Sequence, residues 1–320
     1  MKITVIGGVG FVGQYLVNEL HQNEDHNITA TSLSHRNNLH IPIDKLPRVQ
    51  IESGVDVLDY DSLLKCLSGA DIVFNLAGLL SFLQKDKKKL VNINHNGAMN
   101  VLRACERLGI KKLIHISSTA SLGFGDKIIN ENSTFNWNRH NKCVYSISKS
   151  LSNKKMMESG CNTVVVYPAL ILGAGDNVNS RKLFNAIRDR KLPFISPGTN
   201  SIIDVRDFAK AGVLIMDSDN TDSSYIVASE NITYKKLYSM IADAFNVAPP
   251  MIHLPKYSMR PLLFFSKIIE RISKNPPITY ENIFMSFQKR NHCNDRIKKI
   301  GYSPRFSVYD TIDDIKSWMQ

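Results

Sequence analysis

Lys2-Ile3-Thr4-Val5-Ile6-Gly7-Gly8-Val9-Gly10-Phe11-Val12-Gly13 opens the chain as an apolar run that breaks into glycines. Residues 2–6 read as a strand, and residues 11–22 place apolar side chains at helical spacing, so the glycines lie on a strand-to-helix turn. At such a turn, backbone N–H groups and the positive end of the helix dipole hold a phosphate. Side chains would block its approach, which is the reason for glycine at 7, 10 and 13. The loop therefore predicts a bound dinucleotide on Gly7, Gly10, Phe11, Val12 and Gly13.

Outward from the loop, further apolar runs at 28–33, 49–53, 71–76, 112–117 and 162–167 read as strands. Amphipathic stretches at 11–22, 60–67, 87–108 and 143–158 read as the helices between them. Strand-helix alternation predicts an α/β protein, a Rossmann-type doubly wound parallel sheet. After Pro168 the pattern loosens, with a turn at 173–177 and a helix near 180–190. Residues 201–207 and 223–227 read as returns to the same sheet. The expected organisation is a dinucleotide-binding core over 1–168, with returns near 201–230. A smaller, mostly helical substrate lobe would comprise 169–200 and 231–320.

The residue that would bind the adenosine ribose should end the second strand, and there the chain has Ser32. An aspartate at that point repels a 2′-phosphate. The neutral Ser32, followed by Ser34, His35 and Arg36, suits one, which favours NADP over NAD. Asp56 and Val57, after the third strand, are placed to touch the adenine edge. Leu76, Ala77 and Gly78, after the fourth, would wall the cleft.

Tyr145-Ser146-Ile147-Ser148-Lys149 carries the chemistry. Residues four apart share a helix face, so the Lys149 ammonium is expected near the Tyr145 phenol. A phenol titrates near pH ~10. A neighbouring cation would lower that value and make the group useful for interconverting an alcohol and a ketone.

Taken in order, the glycine loop, Asp56, Asn75-Leu76-Ala77-Gly78, Asn94-His95-Asn96-Gly97, Ser117-Ser118-Thr119, Tyr145–Lys149 and Tyr167-Pro168-Ala169 resemble the extended short-chain dehydrogenase/reductase family. The resemblance covers almost the whole chain. It implies that Tyr145 is the general acid/base and that Lys149 modulates it and binds the nicotinamide ribose. It implies that Thr119 bonds the substrate oxygen, with Ser118 as substitute if the register slips by one. Asn94 would support the active-site helix, and Pro168 and Ala169 would pass beside the nicotinamide. It also implies a homodimer through helices near 90–108 and 143–158.

Three departures from the family narrow the reaction. Ala120-Ser121 replaces the acid pair that dehydratases carry after the threonine. Ala169-Leu170-Ile171 lacks the asparagine with which epimerases bind a sugar diphosphate, and Tyr167 replaces the usual arginine. The remainder resembles the 3β-hydroxysteroid dehydrogenase and dihydroflavonol reductase branch, as does the ending 296–305. Leu79, Leu80, Phe82, Phe124, Trp137 and Leu170 are pocket candidates, and their apolar character favours a small hydrophobic carbonyl or alcohol. The alternatives are a nucleotide-sugar epimerase with tightly bound NAD and a non-catalytic dinucleotide-binding subunit.

The five cysteines are scattered without a C-x-x-C pair, which argues against a metal or disulfide framework and for a reducing cytoplasm. No signal peptide is expected, because the first strand begins at once. The net charge is +11, and residues 250–305 contribute eleven cations against three carboxylates, a net +8. No nucleic acid partner is expected. A weak contact with an anionic membrane is an expectation for residues 259–272, which mix large apolar side chains with cations.

Overall fold

Isoleucine, valine and threonine dominate the strand-forming runs, and their side chains are buried in near-continuous stretches, as in a sheet covered on both faces. The computed structural model describes residues 1–35, 39–138, 140–219, 222–273, 276 and 278–320. The first half runs β1 (Lys2–Ile6), α1 (Phe11–His21), β2 (Asn27–Ser32), β3 (Val49–Ser53), α2 (Tyr60–Leu67), β4 (Ile72–Asn75), α3 (Lys87–Val91), α4 (Ala98–Leu108) and β5 (Lys112–Ile116). Then come α5 (Val144–Met157), β6 (Thr163–Pro168), β7 (Leu170–Leu172), α6 (Ser180–Arg188), β8 (Phe194–Ile195), β9 (Thr199–Asp204), α7 (Val205–Asp217) and β10 (Ser224–Val227). The last part is β11 (Glu230–Thr233), α8 (Tyr234–Ala244), β12 (Ile252–His253), α9 (Met259–Ile272), α10 (Tyr280–Ser286), β13 (Lys289–Arg290), α11 (Asp295–Lys298) and α12 (Val308–Met319).

Seven strands form one sheet in the order β10-β6-β5-β4-β1-β2-β3, and every pairing is parallel. The chain leaves β1 towards β2 and returns on its other side as β4. The two connections part there, and a crevice opens beyond the strand ends. The predicted strands agree with the observed ones to within a residue or two.

Two expectations need correction. Residues 201–204 do not rejoin the main sheet. They belong to β9, which pairs with β7, β11 and β13 in a second, four-stranded sheet. The place beside β6 is taken by β10, so a second return has no edge there. The helix expected over 87–108 is not continuous either. It breaks into α3 and α4 around a π-helical turn, Asn92–Gly97, and such wide turns recur at functional sites.

The main core lies between the sheet and its helices, and includes Ile3, Val5, Leu16, Phe74, Val101, Ile114, Val165 and Phe208. A second cluster, with Leu172, Phe184, Leu237, Ile241, Ile312 and Ile315, holds α6, α8 and α12 on β7 and β9. Burying each large side chain contributes roughly 1.5–3 kcal/mol.

Candidate active site

The glycine loop is built by contact. A Cβ at Gly13 would lie 2.4 Å from the Gly7 carbonyl oxygen, so α1 can start this close to β1 only with glycine there. Gly7 has φ of +80° and packs on the Leu76–Ala77 backbone, 3.3 Å from where its Cβ would be. The first turn of α1 receives no side-chain cap from Gly10, which leaves its amide groups for an outside acceptor. This cradle at the β1/β4 switch point fits a dinucleotide pyrophosphate: Gly7, Gly10, Phe11, Val12 and Gly13 would hold it. Leu76 and Ala77 form the facing wall, half-buried against the main core.

Across the crevice, α5 presents Tyr145 and Lys149. Ser118, which follows β5, lies close enough to the Tyr145 side chain for its hydroxyl to act on the phenol. Burial pushes the phenol up to about 12, against the lowering effect of the Ser118 hydroxyl; the Glu281 charge adds to the rise. Lys149 is buried, at 6 % exposure, and its Nζ donates to the Ile116 carbonyl at 3.0 Å. Burial pushes its ammonium down to about 8. The expectation that Lys149 lowers the Tyr145 value is not met in this arrangement. Lys149 is itself desolvated and engaged by the end of β5, so the phenol keeps its proton at neutral pH.

The π turn explains Asn94. Its Oδ1 accepts from Leu79 N (2.7 Å), and its Nδ2 donates to Leu79 O (2.9 Å) and to Ser148 Oγ (2.9 Å). Ser148 Oγ in turn donates to Tyr145 O at 2.8 Å. One buried amide thus joins the segment after β4 to α5. Gly78 lies between them: a Cβ there would be 3.0 Å from Lys149 Nζ and 3.2 Å from Asn94 Oδ1. Below, Asn75 Nδ2 lies 3.2 Å from His115 Nδ1. Burial, with repulsion from Lys149, pushes His115 down to about 3, so it is neutral.

The remaining sequence-derived residues divide. Phe82 meets the Tyr145 ring edge-on at 5.6 Å, and Leu80 is half-buried on the same segment. Phe124 packs on His140 (4.4 Å) and on Phe284 of α10 (5.2 Å). Trp137 is 49 % exposed and meets Phe135 edge-on, so it stands at the surface. Leu170 is drawn into the second core because β7 pairs with β9. Thr119 is buried in a 3-10 turn, Thr119–Leu122, and it is the hydroxyl of its neighbour Ser118 that acts on the Tyr145 phenol. The register of that turn is set by Ser118, whose Oγ accepts from Ala120 N. Ser32 ends β2 as expected, but its hydroxyl donates to Ser34 O at 2.8 Å, inside its own turn. Asp56 Oδ1 accepts from Leu58 N, and Val57 is buried with its carbonyl on Asn100. Pro168 is buried at the end of β6. Arg36 lies outside the described residues.

Sequence reasoning missed Ser148 and Glu281. The spacing Ser146-x-Ser148-Lys149 was a usable signal for the first; nothing local marks the second. Glu281, in α10, accepts hydrogen bonds from Tyr145 N, Ser146 N and Ser146 Oγ.

A switch-point crevice with a glycine cradle, faced by a Tyr–Lys helix, defines a nucleotide-dependent oxidoreductase of the extended short-chain dehydrogenase/reductase class. The profile of the 3-beta hydroxysteroid dehydrogenase/isomerase family matches residues 4–245, and the chain belongs to that family. It is similar to a Synechocystis sp. protein provisionally named a dihydroflavonol 4-reductase, 25 % identical over 99 % of this chain and 94 % of that one. It is also similar to the mouse sterol-4-alpha-carboxylate 3-dehydrogenase, decarboxylating, 23 % identical over 98 % and 89 %. Among solved structures, that of gox2253 superposes with a TM-score of 0.83 over 99 % of this chain and 97 % of that one, at 23 % identity. The UDP-glucuronic acid 4-epimerase from Bacillus cereus, in complex with UDP-glucuronic acid and NAD, superposes at 0.76 over 100 % and 99 %, at 18 % identity. These two likenesses speak for the fold. The chain is an NAD(P)-dependent enzyme of the dehydrogenase/reductase kind.

Proposed function

We propose that this enzyme interconverts a secondary alcohol and a ketone on a hydrophobic substrate, with NADP(H) preferred. The observation that carries the reading is Tyr145 on α5, with the Ser118 hydroxyl acting on its phenol, Phe82 edge-on to its ring, and Lys149 and Gly78 together alongside. When bound, the nicotinamide supplies or accepts the hydride. The chain's own residues manage the oxygen. The Ser118 hydroxyl holds it, and Tyr145, protonated at neutral pH, gives its phenolic proton as the ketone becomes an alkoxide; in the opposite direction it takes the proton back. Lys149, titrating near 8, adds positive charge beside the site at neutral pH. Neutral Ser32 at the end of β2 supports the NADP preference.

The test is turnover of steroid-like, aryl and aliphatic ketones with NADPH or NADH, run beside UDP- and dTDP-sugars. Reduction of a hydrophobic ketone, faster with NADPH, is expected. Turnover of nucleotide sugars alone, without net cofactor consumption, would establish the epimerase alternative.

A second reading concerns where the substrate is met. On α9, Phe264 (61 % exposed), Phe265 (57 %), Ile268 (42 %) and Ile272 (79 %) face outward beside Arg260, Lys267 and Arg271. Among the described residues no helix is long and apolar enough to cross a membrane. An apolar stripe flanked by cations supports weak contact with an anionic lipid surface. A homodimer through α4 and α5 belongs to the same proposal, and sedimentation velocity tests it.

A further inference from the structure

Helix α5 begins without a cap of its own. Its N-cap residue is Cys143, whose side chain accepts nothing from the first turn. Where a helix is capped locally, a Ser, Thr, Asp or Asn at the N-cap takes the second or third amide. Here those two amides, Tyr145 N and Ser146 N, donate to Glu281 Oε2 (3.0 Å) and Oε1 (3.1 Å). Ser146 Oγ adds a third bond to Oε1 at 2.9 Å. The cap therefore arrives from 136 residues downstream, on a helix of the C-terminal lobe. The same helix carries Phe284, which packs on the pocket candidate Phe124.

We propose that Glu281 is a positioning residue: it makes the placement of the Tyr145 phenol depend on docking of the C-terminal lobe and on the ionisation of its own carboxyl group. The inference rests on Tyr145 being the proton-transferring group proposed above. Three donors and the positive end of α5 favour the carboxylate, as does Arg290 of β13, while 1 % exposure opposes it. Burial prevails and pushes Glu281 up to about 7. Among the described residues, Cys143 and Tyr145 also feel its charge. Above neutrality the ionised carboxylate grips both amides. As pH falls through this range it takes up a proton, one oxygen becomes a donor, and the grip on the Tyr145 backbone weakens.

The experiment uses the full chain with tyrosine labelled by 15N at the amide and 13C at ring Cζ. The Tyr145 signals are identified by their loss in Tyr145→Phe. In the wild type the Tyr145 amide and Cζ shifts are expected to move together, with a midpoint near neutral pH. Both become flat in Glu281→Gln, and Glu281→Asp restores a midpoint. A wild-type amide shift that does not titrate near neutrality overturns the proposal. So does an amide that titrates while Cζ stays still, since Glu281 is then only a helix cap. In turnover, Glu281→Gln is expected to lower kcat roughly 10- to 100-fold, the effect of a misplaced reacting group, with cofactor KM little changed. An unchanged kcat also overturns it. If Tyr145→Phe keeps its turnover, the functional reading fails separately, and the Tyr145 shifts still decide whether Glu281 controls that side chain.

Discussion

At Lys149 the molecule keeps an ammonium where burial works against the charge. Moving its value from 10.5 to about 8 corresponds to about 3 kcal/mol of disfavoured charge. The sign follows from the lowered value: between 8 and 10.5 the unfolded chain binds more protons, so this contribution to stability rises with pH through that window. Lys149→Met should therefore abolish turnover yet raise stability at pH 7 by roughly 1–2 kcal/mol, after about 1 kcal/mol for the lost Ile116 bond. The gain should shrink towards pH 10. Urea midpoints of both proteins across this range check it; a destabilised Lys149→Met at pH 7 contradicts it. Tyr145→Phe removes only the transferable proton. Its kcat should fall by about 100-fold or more, with cofactor affinity by titration nearly intact. Ser118→Ala should cost roughly 100-fold, as loss of an oxygen-holding donor does, whereas Thr119→Val should cost little. The reverse order would return the substrate oxygen to Thr119, the residue to which the motif alone pointed.

At the scale of elements, the catalytic helix is held from outside itself. Asn94 in the π turn fastens α5 to the segment after β4, and Glu281 fastens its first turn to α10. Asn94→Ala would strand Leu79 N and O beside a buried site, where each unsatisfied group costs about 1–3 kcal/mol, and leave Ser148 Oγ only its bond to Tyr145 O. A lowered thermal midpoint and a lowered kcat are both expected. Recovery of kcat by Asn94→Asp without recovery of the midpoint would separate catalysis from structure. The interruption of 87–108 was not legible, because Lys87 to Leu108 keeps a helical apolar spacing and a wide turn has no local signature. The Tyr–Lys spacing and the glycine loop were legible, because four residues on a helix and a turn between strand and helix depend only on neighbours in the chain.

For the whole molecule, Asp204 is one tie between the two cores. Its buried carboxylate accepts from Arg206 and from Thr311 of α12 (2.8 Å), at the point where β9 passes into α7. Asp204→Ala should destabilise the protein by about 3–5 kcal/mol, as breaking a buried pair does. A change below 1 kcal/mol in urea unfolding would show that the cores are joined by packing alone. At the outer surface, contact of α9 with vesicles of anionic lipid should weaken as salt rises, because exposed cations are screened within about 10 Å at 0.1 M. Phe264→Ser with Phe265→Ser should abolish it at any salt. If wild-type protein does not cosediment with such vesicles at low salt, the membrane contact falls.

Local order in the chain determined a great deal here: the parallel sheet, the glycine turn at Gly7–Gly13, the placing of Tyr145 and Lys149 four residues apart on one helix, and membership of a nucleotide-dependent class. These follow from apolar periodicity and from residue types at short separations, which physics reads locally. Only the tertiary structure decided where Lys149 spends its charge and that β9 leaves the main sheet. It alone brought Glu281 onto the first turn of α5. Each of these depends on burial and on partners far away in sequence, and desolvation at such a contact has no counterpart in the spacing of residues.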